Sequence, residues 1–259
     1  MTLRGALAAA LVAALPAAAG ERPIPPAELR SGGAFLGEAL RTQQADEFAN
    51  PGMLWVERGG RLWGAPAGAA GKSCADCHGE AARSMKGVAA RHPAIDGASG
   101  RLRNVADRIV ECRVERQGAA PPQRESEELL ALEAFVVRQS LGMPLAPSID
   151  GPARPRFAVG QALYRQRIGQ MNLACSHCHD ANWGRTLYTE RISQGHPTAF
   201  PAYRLEWQTL GSLERRIRAC FSGVRAEMLP YGAPEHRDLE LYLAWRAGGL
   251  PIESPGVRR

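Results

Sequence analysis

The sequence predicts an all-α protein built of two similar lobes in tandem, mainly helices joined by long loops. Three observations carry this. The pentapeptide C-x-x-C-H occurs twice, as Cys74-Ala75-Asp76-Cys77-His78 and Cys175-Ser176-His177-Cys178-His179, 101 residues apart. A second pattern, R-I-x-x-C, follows each copy, at Arg108–Cys112 and at Arg216–Cys220. Each half then closes on apolar residues at helical spacing, with no convincing run of alternating strand residues anywhere.

In chain order, residues 1–20 have one early arginine, an apolar run from Ala6 to Leu15 and small residues at Ala17 and Ala19, which reads as a secretory signal peptide. The run is short of the roughly 20 apolar residues a membrane span needs. The expectation is an exported, periplasmic protein with no membrane span after signal removal. Residues 21–145 form the first lobe and 146–155, rich in proline, a linker. Residues 156–259 form the second. The closing segments carry Leu129, Leu132, Phe135 and Val136 in one lobe and Leu239, Tyr242, Leu243 and Trp245 in the other, with Gly142 and Gly248 as helix stops. Few residues are left for a conventional core.

The formal net charge of +6 in 259 residues comes from dispersed arginines, so there is no nucleic-acid footprint. An anionic substrate or acidic partner is compatible with it.

C-x-x-C-H supplies two thiols for thioether bonds to haem vinyl groups and an adjacent imidazole for the iron. A zinc site would want four ligands in a closed set, and a redox C-x-x-C a βαβ context that is missing. Two haem c groups are therefore expected, one in each of two tandem cytochrome c-like domains. They would be bound through Cys74, Cys77, Cys175 and Cys178 with His78 and His179 as proximal ligands; a macrocycle would also complete each small core. His177 is a variable position without a ligand role. The other axial position is open on the residues alone. Cys112 and Cys220 recur, His92 and His196 recur in His-Pro pairs, and Met228 follows the second motif. A Cys112–Cys220 disulfide is a further alternative.

One stretch is more specific: Gly195-His196-Pro197, Phe200-Pro201-Ala202-Tyr203-Arg204-Leu205, Trp207-Gln208, then Ser212-Leu213-Glu214-Arg215-Arg216-Ile217 leading into Cys220. With the spacing to both motifs, it resembles the SoxA family, haem subunits of the SoxAX cytochrome of bacterial thiosulfate oxidation. The resemblance covers nearly the whole mature chain and points to the dihaem type, since the first motif is intact. It implies His/Cys ligation at both haems, with Cys112 and Cys220 distal and Cys220 also the active-site residue, found as a persulfide. It implies an L-cysteine S-thiosulfotransferase joining thiosulfate to a cysteine of the SoxYZ carrier. The implied partners are the monohaem cytochrome SoxX, in a heterodimer, and a small cytochrome c downstream.

Thiosulfate is a dianion, so guanidinium donors are expected near Cys220. Arg216, four residues earlier on the same helix face, is the first candidate, with Arg218 and Arg246 behind it. Arg108 takes the matching place in the first lobe, so R-I-x-x-C alone does not prove a substrate role. Two other functions compete: a dihaem electron-transfer cytochrome without substrate chemistry, and a dihaem peroxidase-type enzyme.

Overall fold

A computed structural model describes residues 22–259; the signal segment, 1–20, lies outside the described residues. The first half runs α1 (Glu38–Ala45), α2 (Met53–Gly64), α3 (Cys74–His78), α4 (Ala81–Ser84), β1 (Ala94–Ile95), β2 (Leu102–Arg103), α5 (Val105–Glu115) and α6 (Glu127–Arg138). The second runs α7 (Ala153–Arg165), α8 (Cys175–His179), β3 (Thr186–Leu187), β4 (Glu190–Arg191), β5 (Ala202–Arg204), β6 (Thr209–Gly211), α9 (Leu213–Gly223), α10 (Pro234–Arg246) and β7 (Gly256–Arg258).

Each half is organised by a crossing of two long helices, α2 on α6 and α7 on α10. Both crossings occur at a glycine with no room for a side chain. A Cβ on Gly59 would lie 2.1 Å from the Ala131 carbonyl oxygen, and one on Gly160 1.9 Å from that of Asp238. One turn further on, an aromatic donor holds the residue that follows the motif histidine. Trp63 Nε1 donates to the Gly79 carbonyl at 3.0 Å, and Tyr164 Oη to Asp180 Oδ1 at 2.8 Å. The helix pairs thus anchor the C-x-x-C-H turns. The signal was present in the sequence as Gly59-x-x-Leu62-Trp63 and Gly160-x-x-Leu163-Tyr164, extending the repeat upstream of the motifs.

The helical expectation holds for the main elements, but among the described residues three small sheets accompany them. Their strands are two or three residues long, too short to show alternation in sequence. In β1–β2, Ala94 pairs with Arg103 and Ile95 with Leu102; in β5–β6, Ala202 pairs with Gly211 and Tyr203 with Leu210. This is one register, repeated 108 residues later. It corrects the repeat: Pro93 corresponds to Pro201, each directly before a strand, and His92 corresponds to Phe200 rather than to His196.

The lobes are interleaved. Ala247 and Ile252 pack in the cluster that contains Trp63 and Val136, while Leu102 packs with Phe157 and Tyr242. The backbone of Ile252 donates to Met143, the Asn50 amide donates to the Pro255 carbonyl at 2.9 Å, and β7 adds in parallel to β5. Three buried apolar clusters form, a fuller core than composition suggested. Helix α7 starts at Ala153, inside the stretch read as linker, and α6 and α10 stop at Arg138 and Arg246, short of Gly142 and Gly248.

Helix α10 is buried on every side from His236 to Arg246, not amphipathic. Its charged residues meet partners at the junction. Arg237 Nε donates to Asp107 Oδ2 at 2.6 Å and its Nη1 to Glu214 Oε2 and Glu240 Oε1, each at 3.0 Å. His236 donates to Glu214, and Asn104 to Glu240. Burial pushes the Asp107 carboxyl up, but Arg237 and Arg124 outweigh it and hold the group below its ordinary value. Such a network is stabilising only while every member is present. Beside it lies a cavity of about 100 Å³ whose lining includes Glu125, Glu133 and Glu240.

Candidate active site

Helices α3 and α8 are single turns that place both thiols and the imidazole of each motif together. The first is capped by Ser73, whose N–H donates to Asp76 Oδ2 at 2.7 Å; in the second, the Ala174 N–H donates to His177 Nδ1 at 2.9 Å. His177 therefore closes a helix start, in keeping with its lack of a ligand role.

His179 is held from behind. Its Nδ1 donates to the Ser193 carbonyl at 2.7 Å, which leaves the lone pair on Nε2, the nitrogen able to bind a metal. Gly195, at φ +72°, lets the loop pass against the ring, where a Cβ would lie 2.9 Å from the imidazole Cγ. The glycine of Gly195-His196-Pro197 is thereby explained. His196 donates to the Arg30 carbonyl, and burial pushes its pKa down to about 4. His92 is bonded to the Val88 carbonyl.

Cys220 faces His179 from α9, a helix capped by Ser212. Burial pushes its thiol up, but the Arg216 guanidinium, a hydrogen bond with His179 and the charge of Arg204 outweigh that and bring it down to about 7. Among the described residues no carboxylate pairs with Arg216. Arg204, at the end of β5, gives one bond to Glu206 at 3.1 Å, while its buried Nε has no partner. Arg218 stacks on the Tyr231 ring at 4.2 Å and keeps a buried, unpartnered Nη1.

Arg246 lies deeper than the other two candidate arginines. It is 1 % exposed, bonded to Asp180 and to the Gln194 carbonyl, and lies over the Tyr164 ring. Its Nη1 and Nη2 are taken, by the Gln194 carbonyl and Asp180, while its Nε is buried without a partner; it braces the loop that holds His179. Arg204, whose charge also acts on Cys220, was not among the candidate residues. Its signal was distributed over a strand twelve residues before Arg216, not along one helix.

In the first lobe, burial pushes the Cys112 thiol up, and Glu111 and Glu115 oppose the arginines beside it. Cys112 lies near Cys74 of its own motif, and Cys220 near Cys175 and Cys178. All six cysteines are free, so no Cys112–Cys220 disulfide forms. Met228 lies beyond the end of α9, 47 % exposed.

Two thiols and an imidazole on one turn, with a third sulfur across from the imidazole, fit haem c. Among the described residues no group of three or more His, Cys, Asp or Glu side chains is arranged to hold a metal ion by itself. This arrangement is that of a c-type cytochrome, with a cysteine and arginines gathered across from the motif histidine.

The family model for the SoxA/TsdA cytochrome c domain matches residues 58–145. The L-cysteine S-thiosulfotransferase subunit SoxA of Pseudaminobacter salicylatoxidans is 42 % identical over 230 residues, 88 % of this chain and 80 % of that protein. The corresponding subunit of Rhodovulum sulfidophilum is 36 % identical over 89 % of this chain and 80 % of its own length. The crystal structure of SoxXA from P. pantotrophus matches with a TM-score of 0.86 at 35 % identity, covering 88 % of this chain and 86 % of that one. The chain belongs to the SoxA family.

Proposed function

We propose that this chain is the haem-bearing subunit of an L-cysteine S-thiosulfotransferase, with its chemistry at Cys220. The observation that carries this is the Cys220 thiol, lowered to about 7 and set between His179 and the guanidiniums of Arg216 and Arg204. The relatives' names state that activity, and the SoxXA structure supports a SoxX partner in a heterodimer.

In this reading the chain forms two tandem cytochrome c-like domains, each with one haem c. Cys74, Cys77, His78 and Cys112 would hold the first; Cys175, Cys178, His179 and Cys220 the second. Bound there, haem would accept and pass on electrons. The balance is RSH + S₂O₃²⁻ → R–S–S₂O₃⁻ + H⁺ + 2e⁻: one S–S bond forms, the sulfur pair is oxidised, and two electrons leave toward SoxX and a small cytochrome c. Arg216 binds the thiosulfate dianion, with Arg218 at the outer edge. Cys220, as thiolate or persulfide, presents sulfur to the substrate, and the SoxYZ cysteine thiolate takes the product by ordinary exchange. The periplasm is the compartment of this reading. No described helix is long and apolar enough to cross a membrane.

Arg216→Ala tests it. Thiosulfate turnover by the haem-loaded protein with SoxX should collapse while the haem spectrum persists; unchanged turnover removes Arg216 from the reaction. The electron-transfer reading predicts histidine/methionine signals in electron paramagnetic resonance at both haems, against low-spin thiolate signals here.

A further inference from the structure

The 108-residue offset that relates β1–β2 to β5–β6 also relates α5 to α9. Asn104 and Ser212 cap the two helices, Arg108 and Arg216 lie one turn in, and Cys112 and Cys220 one turn further. In the first lobe Arg108 Nη1 donates to Asp96 Oδ1 at 2.8 Å and to Glu111 Oε2 at 3.1 Å. The residues at those two places in the second lobe are Arg204 and Ala219. Both carboxylates are gone, and a second guanidinium stands where one of them was.

That substitution is unfavourable unless something compensates it. The Arg204 side chain is 12 % exposed, and burial together with the charge of Arg216 makes its protonated form harder to keep. Its Nε is buried without a partner, and its one carboxylate contact is Glu206, itself 68 % exposed. A buried cation with spare donors beside a like charge calls for an anion. Its placement is also fixed in advance. The Trp207 ring lies between the Arg204 and Arg215 guanidiniums, 4.9 and 4.2 Å from its centroid, and packs against Gly211, where a Cβ would be 2.3 Å from it.

We propose that Arg204 is a second substrate-binding residue, which with Arg216 grips the oxygen-rich end of a doubly charged sulfur oxyanion beside Cys220, and that Glu206 occupies its outer nitrogen until the anion arrives. This rests on the thiosulfate reading and adds to it the residue that matches the second charge. The first lobe, with Asp96 and Glu111 in place, has its arginine already neutralised and is closed to anions.

The test uses the haem-loaded protein with SoxX, and thiosulfate as the probe, reading KM and kcat in turnover with the SoxYZ carrier thiol and oxidised small cytochrome c supplied, and Kd by calorimetry without turnover. Arg204→Gln should raise KM and Kd about ten- to hundredfold, the loss of a charge-assisted hydrogen-bonding partner, with an unchanged haem spectrum. Arg204→Lys should recover part of that loss, because charge returns without the planar fork. Glu206→Gln should lower both constants about twofold, a change that a purely structural role for Arg204 would not produce. KM and Kd for Arg204→Gln within about twofold of the parent, with haem intact, would overturn the proposal. If Arg216→Ala still abolishes turnover in that case, only Arg204 is misassigned. A parent protein that binds no thiosulfate overturns the underlying reading as well.

Discussion

The two lobes use one frame with opposite electrostatics. Around Cys112, Asp96 and Glu111 neutralise Arg108, and the thiol is pushed up by burial. Around Cys220, Arg204 and Ala219 replace those carboxylates, and the thiol falls to about 7. Backbone, cap and register are shared, so the difference between a site suited to electron handling and one suited to a sulfur anion resides in a few charges. Repetition supplied the scaffold; divergence at two positions supplied the chemistry.

The strongest way to break this comparison is to rebuild the first lobe's charges in the second. Arg204→Asp with Ala219→Glu should neutralise Arg216 internally and reduce thiosulfate kcat/KM by about a thousandfold or more, since about 4 kcal/mol of anion binding is at stake. Haem absorption should remain, and activity within a few-fold of the parent would show that the charge pattern does not govern the site.

Next in size is the junction that holds the lobes in their relation. Arg237→Ala leaves Asp107, Glu214 and Glu240 buried without their shared cation and should cost about 3–5 kcal/mol, read from denaturant unfolding. A loss near zero would mean that water replaces the guanidinium and that the lobes do not depend on it.

A third prediction tests the equivalence of the helix crossings. Gly59→Ala and Gly160→Ala each drive a methyl group into a backbone carbonyl, and each should destabilise by about 1–3 kcal/mol. Similar losses in thermal unfolding support two matched lobes; a loss at only one crossing would show that the halves fold on different terms.

The remaining prediction depends on pH. Burial, Glu240 and Glu125 push the Glu133 carboxyl up to about 8, from an ordinary value of 4.5. The unfolded chain gives up that proton above pH 4.5 while the folded chain keeps it to about 8, so stability declines across this interval. Glu133→Gln should match the parent near pH 4.5 and exceed it above pH 8, with Tm higher by about 2–4 °C for each kcal/mol relieved. A difference that does not vary with pH would place Glu133 outside the electrostatics of the junction.

The two C-x-x-C-H turns and the third cysteine of each lobe were legible because these patterns are local. A turn of helix sets C-x-x-C-H, and the i, i+4 relation sets Arg216 against Cys220. Homologous patterning also led to the family. By contrast, matching the His-Pro pairs misaligned the lobes by four residues, because the β3–β4 hairpin sits between α8 and β5 and strands this short leave no periodic trace. Arg246 looked available on a terminal helix, yet α10 runs through the middle of the molecule.

The sequence by itself determined which side chains can hold haem and which thiols and arginines share a helix face, since neighbouring residues on one helix have a fixed geometry. Only the tertiary structure decided which charges surround each thiol. Asp96 and Arg204 reach their helices across a hairpin, and a buried field sums over every element packed around it, whatever their separation along the chain.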